Sequence, residues 1–579
     1  MRSKRPFIRL SLRHLLWALI FINLYGCLPD PAEDKSVGLN KIIVREAADA
    51  NSLHPLVLRD AVGFKVALFM YQSLVNIDYE SESLVGILAK GDPTIDSLPN
   101  QAYKLRYQLR PEAQFDNGRQ IKATDILFSL KYYTAPFAFN RGNRGYYQFI
   151  DSVKIDQNDP LAISFYTHQL NSRTKFICGD FFILPYEQFD PQRILSKYTF
   201  DELKQLEKTD TLPKLALLEQ QTDSAIKSTT IQSLNGSGPY ALLKWEKGKR
   251  ILLEKKSNWW AAPLDEQSVY FQNKADQLQL EIIADETTAI SALKSGNIDV
   301  LQGIGPKNFE KLQSDSARFQ TYEMEKRGYQ CIGFNMNHAL LQDKHLRKAI
   351  AHLCPLQIIV DQVFYGKASV SSVPYPIASQ STKDRYPFNP EKAKILLAAS
   401  AWKDVDNDGI LEKKINGEMV ELELEYLYNT SNASRAAIGM ILKQEAKKVG
   451  INIQVQSVEW SVYLERLRNA NTALFYYGAQ TAPLPPDFSA LFHSKSAFGG
   501  RNFAHYQSSQ ADALINTINQ NISLVERNNS IEAFYEIIQD DLPYYFMMTP
   551  YELIATSTDV KGLTTYIDRP YYWASELYK

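Results

Sequence analysis

Residues 103–133, YKLRYQLRPEAQFDNGRQIKATDILFSLKYY, change their hydrophobic period in one short step. YKLRYQLR alternates apolar and polar side chains, the pattern of a half-buried strand. PEAQFDNGRQI then supplies proline, asparagine and glycine for a turn. TDILFSLKYY carries apolar residues at helical spacing, with Thr124 as the expected N-cap. A strand feeding a helix within 31 residues points to an α/β chain.

The rest of the sequence extends this reading. KIIVREA (41–47) reads as a buried strand and GFKVALFMYQSLV (63–75) as a helix. A polar region, about 196–231, reads as solvated helix. GSGPYALLKW and RILLEKKSNWW read as a hairpin. DETTAISALKSGNIDVLQG predicts a helix, a stop at Gly296 and a strand, and a second α/β block runs from Phe334 to about Asp541. At 579 residues the chain exceeds one ordinary core, so two or three domains are expected. With 64 basic against 65 acidic side chains, nothing supports a nucleic-acid partner. Tyrosine is abundant, at 33 residues, and its flat apolar body with a polar tip suits a cleft that grips half-polar ligands.

The first 27 residues read as an address. Basic residues from Arg2 to Arg13 precede the apolar run LLWALIFINL (15–24), too short to span a bilayer. LYGC (24–27) is similar to a lipobox, which makes Cys27 the lipid-bearing residue, with a polar tether over 28–40. Cys178, Cys331 and Cys354 remain, too few for a disulfide framework or a metal ribbon, and the sequence leaves open whether two of them pair. DVDNDGILE (404–412) gives Asp404, Asp406 and Asp408 the opening of a calcium loop, but position twelve is Ile415 where a bidentate glutamate belongs. A solvated Asx-type turn is the preferred reading, with no metal. His338, His345 and His352 recur every seven residues, a spacing unsuited to a helical metal site. No nucleophile elbow or phosphate-binding loop appears.

Ordered motifs identify a resemblance. NSLHP (51–55), the 103–130 segment, GSGPYALLKWEKGKRILLEKKSNWW (236–260), TTAISALKSGNIDV (287–300), FNMNHALLQDKHLRKAIAHL (334–353) and NPEKAKILLAASAW (389–402) together resemble family 5 extracellular solute-binding proteins. That group includes the oligopeptide- and dipeptide-binding proteins of ABC importers. The resemblance implies the two-lobed periplasmic-binding-protein type II fold of the large, three-domain class, with a cleft that closes by hinge bending. It apportions 41–80, 229–303 and 542–579 to lobe I, 81–228 to an inserted domain and 304–541 to lobe II. It further implies a monomer without cofactor or catalysis, anchored by lipid to a bacterial membrane at the periplasm or cell surface. Such a protein hands a peptide or other small molecule to ABC permease subunits. The alternatives are a non-peptide ligand (metal chelate, oligosaccharide, cell-wall fragment) or a secreted hydrolase.

Carried over by position, the resemblance marks Asp49 and Ala50 at the cleft lip, Trp259 and Trp260 after the hairpin, Asn429 at a strand end and Trp460 as a cleft indole. It also marks Tyr477, Gly478, Ala479 and Gln480, in a stretch (476–493) read as a stiff, aromatic, almost uncharged loop. Peptide binders of the family place an aspartate where this chain has Gln480, to pair with the ligand's α-ammonium group. Glutamine supplies no charge, and a charge-assisted hydrogen bond is roughly twice as strong as a neutral one. Either the ligand lacks a free N-terminus, another carboxylate such as Asp487 or Asp49 substitutes, or the ligand is not a peptide.

Overall fold

A computed structural model describes residues 38–579 except Arg59, 208–211, 228–234, 376–383, 431–432 and 482–483. The chain divides into Met1–Asn40 and a compact unit Lys41–Lys579, which is the one described below. The address segment with Cys27, and residues 28–37 of the tether, lie outside the described residues. Among the described residues no helix is long and apolar enough to cross a membrane.

The unit is two-lobed and mixed α/β, built on one twelve-stranded sheet. Its central strand, Tyr544–Ser557, runs for 14 residues, longer than most strands in globular proteins. Its first half pairs antiparallel with Gly328–Phe334 and Ala368–Val370. Its second half pairs antiparallel with Phe319–Glu325 and Val300–Gln302. Outward from the second half, Lys41–Glu46 and Gln277–Ile282 lie parallel, followed by the expected hairpin of Tyr240–Glu246 and Arg250–Lys255. Outward from the first half come Leu474–Gln480, Glu423–Asn429 and Asn452–Val458.

Separate cores form on the two sides. One gathers Ile42, Val44, Leu278 and Leu280, and continues without a break into residues 84–218. That block carries its own four-stranded antiparallel sheet, Thr94–Ser97, Tyr103–Gln108, Ala162–Thr167 and Ser152–Ile155. The other side buries Ile332, Phe334, Leu424, Tyr426 and Ile453 beneath helices that include Lys344–Ala351 and Ala433–Lys447. The helix Pro306–Gln313 and the strand Phe319–Glu325 pack with Ala289, Leu293 and Leu553, on the side of Lys41–Glu46.

Several local expectations need correction. The helix at 123 begins at Ala123, so Thr124 is its second residue and not the cap. Asp125 closes that end instead, its carboxylate accepting from the Lys122 N–H at 2.9 Å while Arg119 pairs with it at 2.8 Å. The helix expected over 63–75 is Ala61–Met70, capped by Asp60. Beyond it the chain is extended, because Leu74 and Val75 donate their N–H groups to the Gly179 carbonyl. In the polar stretch, Phe200–Gln205 and Pro213–Lys227 are helical, with Leu203, Leu215 and Leu218 buried. The aromatic loop begins later than expected, since Tyr476–Gln480 belong to a strand. Cys178, Cys331 and Cys354 are all buried and free, so no pair forms among them.

Two segments cross between the halves: the middle of Tyr544–Ser557, and the turn Lys326–Arg327 joining Phe319–Glu325 to Gly328–Phe334. Arg327 is buried there. Its Nε meets Asp568 at 3.0 Å, its guanidinium also reaches Glu82, and it lies 5.8 Å from the Tyr375 ring centre. Its carbonyl accepts the Thr481 N–H at 3.2 Å and its own N–H donates to Ile567. Removing one partner of a buried pair strands the other charge, a loss of about 3–5 kcal/mol. We therefore expect Arg327→Ala to lose roughly that much in urea denaturation at neutral pH. Adding Asp568→Asn should return part of it.

Candidate functional site

Two cavities flank the crossing strands. The smaller, about 300 Å³, lies between Tyr329, Tyr375, Tyr477, Phe488 and the guanidinium groups of Arg173 and Arg501. The larger, about 600 Å³, opens at the carboxyl ends of Lys41–Glu46 and Val300–Gln302, where α/β sheets commonly bind ligands. Arg45, Phe64, Lys65, Glu552 and Tyr571 line it. The two meet at one hydrogen bond: Gln480 lines the smaller cavity, and its Nε2 donates to the hydroxyl of Tyr571 in the larger.

The wall of the smaller cavity is a sheet edge with rings on it. Tyr477 and Ala479 alternate along Leu474–Gln480 and face Cys331 and Tyr329 across the ladder. The Tyr477 ring stands 6.4 Å from Tyr329 and 5.5 Å from Phe503. Gly478 pairs with Gln330, and a Cβ there would approach the Gln330 Oε1 to 2.9 Å. A small residue at 478 thus lets Gln330 accept the Tyr476 hydroxyl. Asn429 ends its strand as expected, and its Oδ1 accepts from Arg435, whose guanidinium lies 5.1 Å from the Tyr476 ring centre. Trp460 opens a helix and is 49 % exposed, stacked at 5.7 Å on Tyr463. Tyr463 donates in turn to the Tyr476 carbonyl. Asn429 and Trp460 line neither cavity themselves, but both are linked to the 477–480 strand end through Tyr476.

The remaining sequence candidates lie elsewhere. Asp49 accepts from Trp245 Nε1 at 3.0 Å and from the Gly248 N–H at 2.7 Å, clamping the hairpin turn. Ala50 is buried, its carbonyl taken by Lys247 at 2.6 Å. Neither lines either cavity. Trp259 and Trp260 both donate to the Ser237 carbonyl, at 2.8 and 3.0 Å, and pack on Phe271. They line a third recess of about 880 Å³, which shares no lining residue with the other two. Asp487 does line the smaller cavity. Burial acts to raise its carboxyl, but donors from Ser489 and Asn519 together with nearby Arg173 hold it below the usual range.

Asp404, Asp406 and Asp408 come together with Glu412, which the sequence reading had left out, their nearest oxygens within 4.8 Å of one another. Asp404, Asp406 and Asp408 accept backbone N–H groups from Gly409, Asp408 and Ile410, and Glu412 accepts from Val405, as in consecutive Asx turns. His338, His345 and His352 join no such cluster among the described residues.

The mouth is bridged by chain from the 84–218 block. Arg173 Nε donates to the Pro485 carbonyl at 3.0 Å, and Asn171 pairs with Gln520. Arg173, Tyr375, Arg501 and Tyr571 were not singled out from the sequence, because each sits in a segment without periodic pattern and only the fold assembles them.

The fold recurs in known proteins. Oligopeptide-binding protein AppA of Bacillus subtilis is 24% identical over 542 residues, covering 92% of this chain and 90% of AppA. The AppA structure in complex with a nonapeptide superposes with a TM-score of 0.67 at 22% identity, over 93% of this chain and 98% of that one. Heme-binding protein A of Haemophilus influenzae is 21% identical, covering 93% of this chain and 94% of its own. NikZ of Campylobacter jejuni in complex with Ni(L-His) gives a TM-score of 0.69 at 21% identity, over 93% and 99% of the two chains. Residues 99–500 match the family described as bacterial extracellular solute-binding proteins, family 5 Middle, and the chain belongs to that family, as a substrate-binding protein of ABC-importer type.

Proposed function

We propose that this protein captures a peptide or peptide-like ligand between its lobes and delivers it to an ABC permease, held to the membrane by lipid on Cys27. The observation that carries the reading is the joined pair of cavities on either side of the crossing strands, linked by Gln480 and Tyr571. Tyrosine-rich walls accept varied side chains, since a ring face tolerates many shapes while its hydroxyl finds polar partners. The contacts of Arg173 with Pro485 and of Asn171 with Gln520 belong to the closed form, which a ligand favours by binding it better than the open one. AppA, named for oligopeptides, supports the peptide reading. The glutamine at 480 favours a second reading, a non-peptide ligand, in the direction of the relative named for heme and the NikZ structure in complex with Ni(L-His). No chemical step is assigned to the protein.

Within the site we assign Trp460, Tyr477, Gly478, Ala479 and Gln480 to the ligand wall and Asn429 to its support. Asp49, Ala50, Trp259 and Trp260 hold the fold beside it. We place the lobe junction at Lys326–Arg327 and within Tyr544–Ser557, with Phe319–Glu325 on lobe I.

Mass spectrometry of what the purified protein releases on denaturation should show mixed short peptides; a single non-peptide species would decide for the second reading. Palmitate labelling should appear in the wild type and vanish in Cys27→Ser. Trp460→Ala should change stability by no more than about 0.5 kcal/mol, its indole being half exposed. The same change should weaken capture of the released ligand by roughly tenfold. Trp259→Ala should cost about 3–5 kcal/mol of stability. Urea titration and ligand titration of the two variants separate these roles.

A further inference from the structure

Resting on the peptide reading above, we propose that the smaller cavity takes a carboxylate group of the ligand between the guanidinium groups of Arg173 and Arg501, which makes the protein selective for peptides that present one there.

The cavity supplies the position. Both arginines line it, together with Tyr329, Tyr375, Tyr477 and Phe488. At about 300 Å³ it has room for one side chain or one chain end. Arg173 reaches it from the 84–218 block, where its Nε donates to the Pro485 carbonyl at 3.0 Å. That bond orients the guanidinium and leaves its terminal amino groups for another acceptor. Arg501 comes from the turn that follows Ser494–Ser496, and is exposed. Burial and Cys331 push the Tyr477 hydroxyl up while Arg501 pulls it down, so this cation stands near that ring.

The partners come next. Among the described residues neither guanidinium forms an ion pair. Arginines elsewhere in the chain are engaged: Arg119 with Asp125, Arg327 with Asp568, Arg466 with Glu425, and Arg347 with the Leu341 and Asp541 carbonyls. Thr481 lines the same cavity, and its buried hydroxyl has no hydrogen-bond partner among the described residues. A buried hydroxyl left without a partner is costly, and a carboxylate oxygen gives it an acceptor.

The charges favour an anion over a cation. Two guanidinium groups share the cavity with one carboxylate, Asp487. Its Oδ1 already accepts from the Ser489 N–H at 2.9 Å and from Asn519 at 3.1 Å, and Arg173 acts on it from beyond ion-pair distance. One positive charge is therefore left over for a ligand. Gln480 adds no charge, and burial pushes the hydroxyls of Tyr329, Tyr375 and Tyr477 upward, so they are neutral at pH 7. The planar fork of a guanidinium matches a carboxylate with two parallel bonds. Rings around the site exclude water, which strengthens such a pair over one on open surface. An anion held by both arginines would tie the 84–218 block to the segment after Leu474–Gln480, beside the place where Arg173 already holds Pro485.

The test uses N-acetylated random hexapeptides otherwise without ionisable side chains, in four sets: C-terminally amidated, with a free C-terminal carboxylate, amidated with one glutamate, and amidated with one lysine. Binding to the purified protein, to Arg501→Gln and to Arg173→Gln is read by titration calorimetry at pH 7. We expect the wild type to prefer one of the two carboxylate-bearing sets by roughly tenfold or more over the plain amidated set. The preferred set tells a C-terminal carboxylate from an acidic side chain. Both variants should lose the preference, and Arg501→Lys should keep part of it. Arg501→Gln, at an exposed position, should melt at the wild-type temperature. A preference retained by either glutamine variant, equal binding of all four sets by the wild type, or a preference for the lysine set overturns the arginine site and leaves the peptide reading standing. No binding of any set overturns the peptide reading and this inference with it.

Discussion

Everything that moves in this molecule must move around Tyr544–Ser557. A strand of 14 residues is hydrogen-bonded to one half-sheet over its first half and to the other over its second. The lobes therefore share main chain and cannot separate, and relative motion must be bending or twisting concentrated where the ladders change partner. The second crossing, at Lys326–Arg327, sits beside it. Its charges are tied to the strand through Lys326 and Glu552, and to the C-terminal segment through Arg327 and Asp568. A paired charge at such a point resists being pulled into water-free space alone, so the pair keeps the turn seated while the strands flex.

The cleft follows from that geometry. Strand ends from both half-sheets terminate beside the crossing, so their last residues become its walls. Gly328 and Gly478 show the constraint at close range: a Cβ on Gly328 would come within 2.5 Å of the Ala479 carbonyl. Glycine there lets the two strands of the wall run together up to the hinge. The wall is then completed by aromatic rings, which cover area at little cost in rotamer entropy and leave hydroxyls for polar contacts.

Sequence patterning conveyed more of this fold than of its site. The period switch at 103–133 located a strand and a helix, and the hairpin at 240–255 and the Gly296 stop were legible because local turn chemistry decides them. Thr124 was misread because the cap depends on Arg119 and Asp125, a side-chain pairing that no propensity encodes. Tyr476–Gln480 looked like a loop because its prolines come immediately after it, while its strand character comes from pairing with residues 328–332, far off in sequence. Motif position brought Gln480, Tyr477 and Ala479 to one cavity. It did not bring Asp49 there, because the carboxylate is consumed by Trp245 and Gly248 of the hairpin, about two hundred residues away. Arg173 and Tyr571 carry no local signature at all.

A glutamine at 480 changes what this wall of the cleft offers a ligand. Gln480 ends the strand Leu474–Gln480 and donates to the hydroxyl of Tyr571 in the C-terminal segment. The contacts from the 84–218 block are made by Arg173 with Pro485 and by Asn171 with Gln520. An acid at 480 would stand beside Asp487, and two acids close together resist joint ionisation. With glutamine there, the Leu474–Gln480 wall keeps a neutral amide to bond with Tyr571, and Asp487 keeps its donors from Ser489 and Asn519. The bond from Gln480 to Tyr571 joins the two cavities across the crossing strands, so a ligand seated in both would favour the form in which that bond is made.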